Sequence, residues 1–341
     1  MKKRYLFIMI VTVLLCEAAF SDTNLKKRPR VVGGESVLEK NIYPWMAALI
    51  DKRAISSYKG QFCGASLIDK EWIVTAAHCL FDENRRKIDP SIIKVVLNTY
   101  NITVDTNETI VRDVQSYIVH PDYNSSINRF DMGSDIALIK LNEPVDLPVL
   151  KLVSDDNLYE KNATVLGWGY KYVVNGYYYL SAQILQKALL PIIAWDECFD
   201  TYYEYDYIID DDMLCAGIKS SKNSAVGDSG GPLLVEEDGE LKLAGITSWG
   251  FYDLYGVYTR VSDYKEFIYS FKEQKRDAYY FLEKFYDKYG LFFGKKTGNA
   301  YECYEGWICQ NFSFGKMIAV HKKSYFIIWF TGRYWYPFGK M

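Results

Sequence analysis

The chain has 341 residues, of which 49% are hydrophobic and 24% charged, enough to bury a substantial core in one large domain with an appendage. A formal net charge of −3 leaves no basic excess for neutralising phosphates, which sets nucleic-acid binding aside. No Cys/His/Asp cluster has metal-ligand spacing and no glycine string sits between a strand and a helix, so neither a metal nor a cofactor is expected.

Residues 1–21 follow the three-part plan of a secretory signal peptide: Lys2, Lys3 and Arg4, an apolar stretch from Leu6 to Leu15, then the small Ala18, Ala19 and Ser21. Spanning a bilayer takes about 20 apolar residues, so this stretch is too short for an anchor, and bulky Leu15 before Cys16 argues against a lipid anchor. Secretion is therefore expected. Without the signal, six cysteines remain (Cys63, Cys79, Cys198, Cys215, Cys303 and Cys309), which reads as three disulfides whose pairing spacing alone cannot choose. Asn101, Asn107, Asn124, Asn162 and Asn311 each open an Asn-X-Ser/Thr sequon, the acceptor of a glycoprotein where the host glycosylates. Residues 22–30 are polar and end in Lys26-Lys27-Arg28-Pro29-Arg30, a solvated segment that looks removable.

From Val31 to about Val261 short β-branched and aromatic runs alternate with turn residues. Strands are predicted over Ser66 to Ala76, Ile92 to Leu97, Ile110 to His120, Ile136 to Leu141, Ala163 to Trp168, Leu243 to Ser248 and Gly256 to Val261, the pattern of an all-β barrel or sandwich. Near Ser262 the period changes. Tyr264, Phe267, Ile268 and Phe271, continuing towards Phe281 and Phe285, recur at helical spacing and predict a C-terminal helix. The body is thus bounded at 31–275. Residues 276–341 are expected to hold the rest of the helix and a small aromatic-rich β module, because 291 to 341 carry 15 aromatics and seven Lys/Arg against two Asp/Glu. A faint 45-residue repeat, Phe285-Lys288-Tyr289-Phe293 returning as Phe330-Arg333-Tyr334-Phe338, sets this piece apart.

Three strings carry chemistry: Thr75-Ala76-Ala77-His78-Cys79, Asp135-Ile136-Ala137-Leu138 and Gly227-Asp228-Ser229-Gly230-Gly231-Pro232. A serine hydroxyl is a poor nucleophile near neutral pH. It needs an imidazole to take its proton and a carboxylate to hold that imidazole in the right tautomer, and the strings supply one of each. The N–H groups of Gly227 and Ser229 would face a developing oxyanion, which a side chain at residue 227 would obstruct.

With these strings in the order His, Asp, Ser, the chain resembles the chymotrypsin-like (trypsin-fold) serine proteases from Val31 to about Phe271. Gly167-Trp168-Gly169, His120-Pro121-Asp122-Tyr123, Leu190-Pro191, Cys215-Ala216-Gly217, Ser248-Trp249-Gly250 and Gly256-Val257-Tyr258-Thr259 extend the match. The resemblance implies two six-stranded antiparallel β-barrels and a C-terminal helix, with the site in the cleft between barrels. It implies an endopeptidase acting on protein or peptide substrates, His78 serving as base and Asp135 as its orienter. It further implies a zymogen: an activating trypsin-like protease cuts Arg30-Val31, and the new Val31 ammonium pairs with Asp228. Cys63–Cys79 and Cys198–Cys215 match two family disulfides, whereas Ala163, Val235 and Ala225 stand where cysteines are usual. Cys303–Cys309 would close the tail module.

For substrate binding the resemblance points to Asn223, Ser248, Trp249, Gly250 and Gly256. Asn223 replaces the acid of trypsin-like members, so the pocket floor lacks a carboxylate. Gly250 and Gly256 leave its walls open to a large apolar side chain, while Asp253 in the short Phe251 to Tyr255 loop could bring charge from another side. The run Tyr202-Tyr203-Glu204-Tyr205-Asp206-Tyr207 reads as an exposed aromatic loop or as a cover over the cleft. Tyr301, Trp307, Phe312, Trp329, Tyr334 and Trp335 of the tail read as a packed core or as a platform for cell-surface or polysaccharide contacts; Gln310-Asn311-Phe312 with Gly315 and Ile318 is similar to LGFP-type repeats of cell-wall-associated proteins. Two rivals remain: a catalytically silent homologue that binds partners, and a surface-binding protein whose tail is its main function.

Overall fold

The structure is a computed structural model that describes residues 34–104, 106–124, 133–154, 157–174, 177–221, 223–251 and 253–272, and five strands between 301 and 340. The signal and propeptide, with Arg30 and Val31, and residues 273–300 lie outside the described residues.

Barrel one is built from β2 (Met46–Asp51), β3 (Gln61–Asp69), β4 (Trp72–Thr75), β5 (Ile93–Leu97), β6 (Ile110–Val119) and β7 (Ala137–Leu141). It closes in the order β2-β3-β4-β7-β6-β5 because β2 pairs with both β3 and β5. The run predicted from Ser66 to Ala76 is two strands, since Lys70 and Glu71 turn the chain between them. In β2 five of six residues are buried, as befits a strand packed on both faces.

Barrel two uses β8 (Asn162–Gly167), β11 (Gln186–Ile193), β12 (Met213–Ala216), β13 (Pro232–Glu237), β14 (Glu240–Gly250) and β15 (Gly256–Arg260). The order β11-β12-β15-β14-β13-β8 closes through β8 on β11. In β11 buried and more open residues alternate, the period-2 signature of a strand with one face inward. Closure leaves no free edge. Two-residue β1 (Glu35–Ser36) adds to β11, and β9 (Tyr170–Val174) and β10 (Tyr177–Ser181) form a hairpin outside the barrel.

One hydrophobic core joins barrel one to Leu234, Leu243, Ile246, Val261, Tyr264 and Ile268 of the second half. The junction of the barrels is thereby close-packed. Helices are few: α1 (Ser57–Gly60), α2 (Trp195–Tyr203) and the short α3 (Lys265–Lys272), which is the described part of the predicted C-terminal helix. Beyond it, β16 (Tyr301–Tyr304), β17 (Trp307–Asn311), β18 (Lys316–His321), β19 (Phe326–Thr331) and β20 (Tyr334–Lys340) form a five-stranded antiparallel meander.

Candidate active site

His78 lies in a 3-10 turn, Ala77–Leu80, directly after β4. Ala76, Ala77 and Leu80 are fully buried, and Cys79 is bonded to Cys63 of β3, so the turn is clamped on both sides of the imidazole. Asp135, 7% exposed, stands just before β7. Its Oδ2 is 2.7 Å from His78 Nδ1, its Oδ1 accepts from the His78 backbone N–H at 2.9 Å, and Ser248 Oγ also donates to Oδ2. Burial alone would lower the imidazole pKa, but the charge and hydrogen bond of Asp135 outweigh it, and the net direction is up. For Asp135 the opposite balance holds: burial raises the carboxyl pKa, the charge and hydrogen bond of His78 lower it more, and the net direction is down.

Ser229 sits in a tight turn with Gly227 (φ 93) and Gly230 (φ 77) in the left-handed region that favours glycine. Bonds from both barrels set its place: Gly64 N of β3 donates to the Ser229 carbonyl at 2.7 Å across the barrels, and Gly230 N donates to Thr247 O of β14 at 2.8 Å within barrel two. Gln61 Nε2 holds the Gly227 carbonyl at 2.8 Å, which orients the peptide before Asp228. A strand of barrel one thus shapes the loop of barrel two.

Asp228 is fully buried, with Oδ1 accepting from Gly169 N at 2.7 Å and Oδ2 from Ala225 N at 2.8 Å. Burial pushes its pKa up to about 6 against the pull of those two amides. A side chain at Gly167 or Gly169 would run into this carboxylate, which accounts for both glycines of Gly167-Trp168-Gly169.

Asn223, Gly250 and Gly256 lie together, and the room expected beside Gly256 needs a correction. Gly250 pairs with Gly256 across β14 and β15, with Ser248 and Trp249 just before. The space beside Gly256 is not open: a methyl there would meet the Asn223 carboxamide and the Tyr258 ring. Asn223 is 3% exposed, and its Nδ2 lies 3.2 Å from Leu254 O and 3.4 Å from Phe251 O, while its Oδ1 accepts from Ser224 N at 2.7 Å. Its amide therefore ties down the short loop. Asp253 is exposed and accepts from Ser220 Oγ at 3.1 Å.

The tyrosine run is neither a simple exposed loop nor a free cover. Tyr202 closes α2, is fully buried, donates to Tyr255 O and packs its ring 4.9 Å from Trp249. Tyr207 lies 5.7 Å from Trp249 and 5.1 Å from Phe251. Tyr203 and Tyr205 are exposed, as are Glu204 and Asp206 between and after them. Sequence reasoning missed Tyr202, Tyr207 and Phe251 as neighbours of the pocket strand, although the aromatic density of the run was the signal. The disulfides Cys63–Cys79 and Cys198–Cys215 are both present. Cys309 is buried and disulfide-bonded, and the strand register sets Cys303 on the adjoining strand. Cys63, His78 and Cys79 cluster closely, but the two sulfurs are bonded to each other and free no thiolate for a metal.

Two closed barrels, one carrying the bonded His78–Asp135 couple and the other the Gly-Asp-Ser-Gly-Gly turn, define the chymotrypsin-type fold. Residues 31–268 match the family model described as Trypsin. The chain is also 32% identical over 276 residues to the urokinase-type plasminogen activator of Gallus gallus, a match covering 75% of this chain and 61% of that protein. The chain belongs to the trypsin family of serine proteases.

Proposed function

We propose that the chain is a secreted zymogen whose peptidase activity runs through Ser229, His78 and Asp135. The supporting observation is the engagement of Asp135: three donors fix its two oxygens, and one of them is the imidazole Nδ1. That arrangement leaves Nε2 as the basic nitrogen for the Ser229 proton. In this reading Ser229 Oγ attacks the scissile carbonyl, His78 carries the proton to the leaving amine, and the N–H groups of Gly227 and Ser229 stabilise the oxyanion. Water then releases the acyl group by the same steps in reverse.

Activation in this proposal is cleavage after Arg30 by a separate trypsin-like protease. The freed Val31 ammonium pairs with Asp228, a carboxylate whose burial otherwise penalises its charge. Specificity follows from Asn223, whose amide groups are already spent on the Phe251 to Tyr255 loop. A substrate Arg would lose its water shell without a carboxylate partner, whereas Phe, Tyr or Leu buries apolar area worth roughly 1.5 to 3 kcal/mol. Large apolar side chains are thus preferred before the scissile bond. Asn107, Asn124 and Asn162 are exposed and are the sequons proposed to carry glycans. The C-terminal meander is proposed as a separate small module, with polysaccharide or surface contact as its second reading.

The test is Ser229→Ala in the full chain after cleavage at Arg30. Turnover of a Phe or Leu peptide should fall by about 10⁶ with the fold retained. Loss within about tenfold would refute the mechanism, and an inactive parent would favour the silent homologue.

A further inference from the structure

Asp135 enters the cleft on a strained corner. Gly133 (φ 67) and Ser134 (φ 53) are both left-handed, a conformation that glycine takes freely and serine only at a cost. The surroundings must hold it, and they belong to the second barrel. Asp212, the residue before β12, uses Oδ2 to accept both Ser134 N–H at 2.9 Å and the Tyr264 hydroxyl. That hydroxyl also stands 3.2 Å from Ser134 Oγ. The far side of Asp135 is held as well, with Thr259 Oγ1 donating to its carbonyl at 2.8 Å. Asp212 is itself anchored by Arg260 N, which donates to its carbonyl at 2.8 Å. Its carboxylate fills the space beside Gly133, where a methyl would lie 2.7 Å from Oδ2.

We propose that Asp212 is a positioning residue for catalysis, acting through the Ser134 amide to set where Asp135, and hence His78, stands. This rests on the reading of His78 and Asp135 given above. The chemistry is economical: one oxygen collects two donors, one from the corner and one from the start of the C-terminal helix region, and so ties the corner to the other barrel. The second oxygen, Oδ1, is buried without a hydrogen-bond partner, and Asp212 lines a small cavity together with Asp135, Ser248 and Thr259. No acceptor is needed there. Asparagine can therefore replace the aspartate, its carbonyl taking the two donors and its amide taking the unpartnered place.

The experiment compares Asp212→Ala, Asp212→Asn and Tyr264→Phe in the full chain cleaved after Arg30, on a Phe or Leu peptide. Asp212→Ala should lower kcat by about 10- to 100-fold, the scale of a misplacement near 1 Å, with KM within about twofold. Asp212→Asn should recover most of that loss. Tyr264→Phe removes one donor of the two and should give an intermediate loss, so the proposal stays testable where the alanine variant does not accumulate. The low-field proton resonance of His78 Nδ1–H, present in the parent and in Asp212→Asn, should weaken or move upfield in Asp212→Ala. Parent-like kcat in the alanine and phenylalanine variants, or an asparagine variant as slow as the alanine one, overturns the proposal. A parent that turns over nothing fails the site reading instead, and the resonance still reports on Asp212.

Discussion

Two buried carboxylates sit at opposite ends of the electrostatic scale in this site. Asp135 has three donors and a basic neighbour, so its charge is retained and its pKa lies below the usual carboxylate range. Asp135→Asn should keep the fold but present an amide N–H to the imidazole, fixing the wrong tautomer and lowering kcat by about 10⁴; steady-state kinetics beside a melting curve checks this. Asp228 has two amides and no cation among the described residues, and its pKa is raised to about 6 from 3.8. Protonation of this group therefore favours the folded state. Its contribution is complete below about pH 4 and is lost as pH rises through about 6, a difference of roughly 3 kcal/mol. Urea midpoints of the uncut precursor should fall across that window. Asp228→Asn should remove the slope, and an unchanged slope in that variant would contradict the assignment.

At the scale of elements, the short loop beside the pocket is the informative one. It has no cysteine, and Asn223, the Tyr202 hydroxyl and the Tyr255–Glu197 hydrogen bond hold it instead. Asn223→Asp would set a carboxylate against two carbonyl oxygens and lose both donors. The variant should be destabilised by about 1 to 3 kcal/mol and should still prefer Phe and Leu over Arg. A thermal melt and a peptide-library profile check both halves, and a switch to Arg would show that the residue reads substrate directly. This loop also marks how far the sequence was legible. Strands β3 to β8, β14 and β15 were visible as β-branched runs while β2, β11, β12 and β13 were not, and His78, Asp135 and Ser229 were visible through the strings around them, because that chemistry demands particular residue types side by side. The role of Asn223 was hidden because its partners are backbone carbonyls, which carry no residue signature. Helix α2 was hidden too: Trp195-Asp196-Glu197-Cys198 has no side-chain cap at Ala194, and its acidic first turn was the only local cue. Asp212 ends an ordinary acidic turn, Asp210-Asp211-Asp212, and becomes distinctive only when the barrels bring it to Ser134.

At the scale of the molecule, the barrels are two halves of one machine. Barrel one supplies His78 and Asp135 and also shapes the Ser229 loop through Gly64 and Gln61; barrel two supplies Ser229 and holds Asp135 through Ser248 and Thr259. In the proposed activation, reciprocal bracing of this kind would carry the one charge added at Asp228 to the rest of the site. Arg30→Gln should leave the junction before Val31 uncut by trypsin and the chain inactive, with its barrels intact by circular dichroism. The most direct measurement is covalent capture: the parent and the Arg30→Gln chain are treated with trypsin, the trypsin is removed, and both are exposed to a fluorophosphonate before peptide mapping. The account predicts a stoichiometric phosphonyl adduct on Ser229 of the cut parent and none on the uncut variant. Equal labelling of both chains, or no label on Ser229 after cleavage, would contradict it.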